Sequence, residues 1–160
     1  MQFENSAQEL TYKRVRDYLQ SSLFKTTVRA NQEQPYFDLL YQGTTLIELQ
    51  ILPWDTHPYP DKKLAIVRAS SCVALGCGPE LELLRFLLDE NRKMRFGSFQ
   101  TGEAGTVFFA NRILGGKHMD TVELEVCLLS VGAIANRYSD IMINQFDGQR
   151  ALNTPLASKL

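Results

Sequence analysis

A chain of 160 residues, 44% apolar and 22% charged with a net charge of −1, has the size and make-up of one ordinary domain. At this length roughly 70% of the unfolded chain's surface can be buried, so neither a disulfide nor a metal is needed for a core. The near-zero charge supplies no field for nucleic acid or an anionic membrane, and no apolar run nears the roughly 18 residues of a membrane span.

The N-terminal MQFENSAQEL lacks the basic and apolar regions of a signal peptide. From these features a cytoplasmic protein is expected, with neither nucleic acid nor membrane as partner. Cys72, Cys77 and Cys127 are an odd number, which excludes a fully paired framework within one chain and predicts three reduced thiols. The closing Ser-Lys-Leu can act as a peroxisomal address, but a three-residue match is frequent by chance and is read as chance.

In chain order, Ser6 is the expected cap of a first helix running to about Lys25, with Glu9 at the capping-box position. Tyr12, Val15, Leu19 and Leu23 fall on one stripe of it. Three strands follow. The first spans about Val28 to Gln42, with a break near Glu33–Pro35. The second, Thr45 to Leu52, alternates with Ile47, Leu49 and Ile51 on one face and Glu48 and Gln50 on the other. The third runs from about Lys63 to Leu75. Gln42-Gly43 predicts a hairpin between the first two. Three prolines make Pro53–Asp61 a loop.

Pro79 stands at the first turn of a second helix reaching about Met94. Two strands, Ser98–Thr101 and Gly105–Leu114, turn at Gly102–Gly105. Asp120 caps a long last helix, Thr121 to Phe146. The order helix, three strands, helix, two strands, helix predicts an α+β domain over residues 1–147. It would carry a mostly antiparallel five-stranded sheet packed with helices. Residues 148–160 are expected to form a mobile tail.

That order resembles the type III secretion chaperone-like fold, and more closely the YbjN-like proteins that share it outside secretion systems. The resemblance rests on ELELLRFLLDENRKM, the Phe96-Gly97-Ser98-Phe99 run, the strand ending in Val107-Phe108-Phe109, and a last helix with Ala133, Ala135 and Tyr138. It covers roughly residues 5 to 147 and implies a non-enzymatic domain acting through protein contacts, often as a homodimer. A fold shared across functions supplies no client.

Candidate chemistry is sparse. His118-x-Asp120 has no second His or Cys at ligand spacing, so no metal is expected, and no organic cofactor either. Trp54, Asp55, His57 and Tyr59 gather aromatic, acidic and imidazole groups in one loop, the alternative reading being a small-molecule or catalytic site. No nucleophile elbow accompanies them. Gly76-Cys77-Gly78 lacks phosphate-loop spacing. Arg92, Lys93 and Arg95 complement a helix end.

The second helix carries apolar residues over roughly 220° of arc, more than one packing face needs. Leu81, Leu84, Leu87 and Leu88 are expected on the sheet, leaving Leu83, Phe86 and Met94 for a two-fold mate. In the last helix Val122, Val126, Leu129 and Ala133 form a second stripe opposite the core face. That stripe is a candidate partner surface for a protein client.

Overall fold

A computed structural model describes residues 1–59 and 61–151. Asn5, rather than Ser6, caps the first helix, its side chain accepting from Gln8 N at 2.8 Å. The helix, α1, is Ser6–Ser21. Gln8 is buried because its amide also donates to Ile51 O at 2.8 Å, which pins α1 to the sheet. Tyr12, Val15 and Leu19 are buried as expected, whereas Leu23 lies beyond the helix end and is exposed.

The long first strand is two strands. Asn31 Oδ1 accepts from Glu33 N and Gln34 N at 2.8 and 2.9 Å, an Asx turn that lifts the backbone out of the ladder. It separates β1, Arg29–Ala30, from β2, Tyr36–Tyr41. β3 is Thr45–Trp54, β4 Leu64–Ala74, α2 Glu80–Lys93, β5 Ser98–Thr101, β6 Val107–Leu114 and α3 Thr121–Phe146. The sheet therefore has six strands, not five, all antiparallel, in the order β1-β2-β3-β4-β6-β5. The fold is α+β, with three α-helices among the described residues.

The β2–β3 hairpin turns where Gln42-Gly43 predicts it, both residues taking positive φ. Asp120 caps α3 by accepting from Val122 N and Glu123 N at 2.6 and 3.2 Å. α3 is, among the described residues, the single helix long and apolar enough to cross a membrane by length and composition alone, an 18-residue window of it having mean hydropathy 1.3. In the fold its Leu124, Leu128, Val131 and Met142 are buried core.

Alternation assigns the two sheet faces. Phe37, Leu39, Ile47, Leu49, Ile51, Val67, Ala69 and Phe109 are fully buried with Val15 and Leu19 of α1 and Leu124 and Leu128 of α3. Both helices cover this face, and α2 lies beside β5. The edges are partly covered. Asn91 of α2 donates to Phe99 O at 3.2 Å and accepts from Phe99 N at 2.6 Å, which occupies the backbone groups of Phe99 in β5. On the other side the two-residue β1 and the Thr27 hydroxyl, 3.4 Å from both Leu40 N and O, cover part of β2. Short and partly covered edges limit pairing with a foreign strand.

Residues 148–150, expected to open a mobile tail, are held to the fold. Gln149 pairs with Leu75 through two backbone bonds of 2.8 and 2.9 Å, and Gly148 N donates to Met142 O. The rest of that segment, residues 152–160 with its Ser-Lys-Leu, lies outside the described residues.

Candidate interaction surface

α2 is turned from the expected orientation: Leu87 is buried as expected, but Leu83 rather than Leu81 or Leu88 is buried with it. Leu83 and Leu87 are core. Phe86 packs on Phe146 at 5.1 Å between ring centroids, and Met94 is partly buried against the same cluster. Leu83, Phe86 and Met94 therefore form the inward face, and Leu81 and Leu88 stand 61% and 65% exposed with half-buried Leu84 between them. The cause is polar. Asn91 must reach the β5 backbone, and Tyr138 of α3 donates to Glu90. Lys93 and Tyr138, through their hydrogen bonds, hold the Glu90 carboxyl below its ordinary value. These two anchors fix the helix rotation. Phe86→Glu would charge the core rather than an interface.

On α3, Val122 and Val126 are 65% and 44% exposed, Ala133 is exposed and Leu129 is partly buried. This stripe stands opposite the core face, where the periodicity places it. Its three exposed members are apolar surface in contact with solvent.

The second sheet face has no helix on it among the described residues. Its centre is polar. Tyr36 donates to Asp38 Oδ1 at 2.6 Å, and burial, helped by that bond and by Glu48, pushes the Tyr36 phenol upward. Arg68 donates to Gln50 Oε1 at 3.2 Å and Gln100 Oε1 at 3.4 Å, while its buried Nε has no acceptor among the described residues. Burial, then the neighbouring Arg112, lowers the Arg68 pKa. Leu52 and Leu114, 38% and 50% exposed, flank this band with half-buried Ile66 between them. The four charged residues Asp38, Glu48, Arg68 and Arg112 carry no site signal in the sequence, although strand alternation already places Glu48 and Gln50 on the wetter face.

The Trp54–Tyr59 loop brings its rings together. Trp54 and His57 are 5.7 Å apart edge to face, His57 and Tyr59 6.4 Å, and Lys62 lies 4.6 Å over the Tyr59 ring. His57 Nδ1 accepts from Tyr59 N at 3.1 Å, so that nitrogen closes a local turn. Asp55 is exposed. His118 is exposed, and the Asp120 carboxylate is occupied as a helix cap. Among the described residues no three His, Cys, Asp or Glu side chains are grouped to hold a metal ion. The Gly76–Gly78 turn spends its N–H groups within the fold: Cys77 N donates to Gly105 O and Gly78 N to Phe146 O. At the α2 end Arg92 and Lys93 pair with Asp89 and Glu90.

Cys72, Cys77 and Cys127 are all unbridged. Burial pushes Cys72 up to about 11 and Cys127 up to about 12, and raises Cys77. A folded pKa above the unfolded value of 9.0 leaves stability unaffected by these groups below pH 9, where both states keep the proton. Above pH 9 the unfolded thiols ionise first, so stability falls until the folded groups titrate near 11 to 12. Thermal melts from pH 8 to 11 should show this loss. Cys72→Ala/Cys127→Ala should flatten it, and an unchanged slope would contradict the assignment.

A scan against protein-family models finds no match to this chain, and a search of curated proteins finds no significant similarity.

Proposed function

We propose that this is a non-catalytic, chaperone- or adaptor-like protein-binding module that works as a homodimer and presents apolar helix surfaces to a protein client. The observation that carries the reading is the stripe of exposed Leu81 and Leu88 with half-buried Leu84 between them on α2, although the helix has a core face of its own. Fully burying a leucine is worth roughly 1.5–3 kcal/mol, so two leucines left in water on one helix are unused binding energy. The Val122–Val126–Ala133 stripe of α3 offers a second surface of the same chemistry. The reading also draws on the resemblance to YbjN-like proteins, which rests on the sequence runs named above. The short edge strand β1 and the Asn91 cover on β5 favour helix and sheet faces over strand addition as the mode of contact.

The test compares wild type with Leu81→Ser/Leu88→Ser as tagged baits. A protein retained in stoichiometric amount by wild type and lost from the double variant, at equal melting temperature, is the expected result. Identical retained sets for both baits would overturn the α2 surface.

A further inference from the structure

The bare sheet face carries two charge pairs of the wrong kind. Asp38 of β2 stands directly across from Glu48 of β3, and Arg68 of β4 directly across from Arg112 of β6. Like charges directly opposite are destabilising in an antiparallel pair. Here two such pairs of opposite sign occupy the two halves of one face. Exchanging one residue from each would have removed both penalties. Within the subunit the compensation is partial: Arg68 has Glu48 nearby, but its buried Nε has no acceptor among the described residues, and Arg112 lies next to another arginine.

We infer that the helix-free face of the sheet is a self-complementary interface, and that its occupant is a second copy of this chain related by a two-fold axis running along the strands between β3 and β4. This rests on the homodimer reading above and names the surface that forms it. Such an axis lays β3 over the mate's β4 and β2 over the mate's β6, because the strand order is β2-β3-β4-β6. Glu48 then faces the partner subunit's Arg68, and Asp38 faces the partner subunit's Arg112. The offset between the two rows is two residues, roughly 7 Å along the strand, and stacked sheets lie about 10 Å apart, within reach of arginine side chains. Each like-charge pair becomes half of an opposite-charge quartet. At one end Leu52 packs on the partner subunit's Ile66, and Ile66 on the partner subunit's Leu52, which excludes water there, with Leu114 at the rim.

Size fits a reversible dimer. The two central strands over some eight residues and the two outer ones over the six of β2, at about 4.8 Å and about 3.4 Å, give roughly 450 Å² a side. The total of about 900 Å² lies in the range of weak, reversible interfaces. An isologous contact also closes, which leaves no free copy of the surface to polymerise.

The experiment is a charge exchange followed by sedimentation velocity, with circular dichroism as the fold control. Arg112→Asp and Asp38→Arg should each weaken the dimer at least about tenfold, since each faces its own kind across the axis. An equimolar mixture of the two should restore a dimer of near wild-type affinity, because every contact is then paired. Leu52→Glu, which leaves the Tyr36–Asp38 hydrogen bond intact, should also dissociate it and serves if Asp38→Arg misfolds. Wild-type affinity in Arg112→Asp and Leu52→Glu, or a folded mixture that stays monomeric, overturns the inference. A dimer lost only in Leu88→Glu puts the mate on α2, which sinks the sheet-face interface and leaves the homodimer standing. A monomeric wild type sinks the homodimer and this interface together.

Discussion

Leu83→Ala is expected to cost about 2–5 kcal/mol, the range for a fully buried leucine that leaves a cavity. Leu88→Ala, five residues on in the same helix, should fall within about 0.5 kcal/mol of wild type. Leu83 is 2% exposed and Leu88 65%. For a chain of this length the first change should lower the melting temperature by roughly 5–15 °C and the second by no more than about 2 °C. Thermal denaturation of the two variants side by side reads the rotation of α2 directly. The reverse order of stabilities would mean that Leu84 and Leu88 face the core, as the apolar pattern of the sequence suggests.

Gly105→Ala should be comparably damaging for a different reason. Gly105 has φ +71°, and a Cβ there would lie 2.3 Å from Cys77 O and 2.8 Å from Cys77 N. Both are backbone atoms, and Cys77 N already donates to Gly105 O at 3.0 Å, so neither side can give. A left-handed conformation costs an alanine about 1–2 kcal/mol, and overpacking adds about 1–3 kcal/mol. Gly43 is the control: it has φ +73°, and a Cβ added there would meet no atom within 4 Å, so Gly43→Ala should show the conformational cost alone. Urea denaturation of the pair separates the two contributions. Equal losses at both sites would mean that the β5–β6 turn does not press on the strand leading into α2.

Those two sites also mark where the sequence is readable and where it is not. α3 is legible because its signals agree: Asp120 caps it, and the apolar positions from Leu124 to Phe146 repeat with helical period along its whole length. The β3 faces are legible for the same reason, since Ile47, Leu49 and Ile51 alternate strictly with Glu48 and Gln50. The rotation of α2 is not, because it carries two apolar stripes of similar strength. What decides between them is polar and distant: Asn91 reaching Phe99, and Glu90 reaching Tyr138. The break in the first strand is legible near Glu33–Pro35, whereas the Asn31 side chain that makes it, by bonding Glu33 N and Gln34 N, is not.

The candidate surface shows the same division. The α3 stripe of Val122, Val126 and Ala133 could be found from periodicity alone, because the core face opposite it is unambiguous. The charged band of the sheet could not, because its meaning lies in register. Asp38 and Glu48 are ten residues apart in sequence, and Arg68 and Arg112 forty-four. Only strand pairing sets like beside like and makes the face an anomaly. Sequence could have offered one cue, the alternation that puts Glu48 and Gln50 on the face opposite Ile47, Leu49 and Ile51.

Sedimentation velocity of the wild-type chain from about 1 to 50 µM, a range set by micromolar affinities, tests the homodimer most directly. A species of twice the 18.2 kDa chain mass, gaining at the expense of the monomer as concentration rises, is the expected result. A single species at the chain mass across that whole range would contradict it.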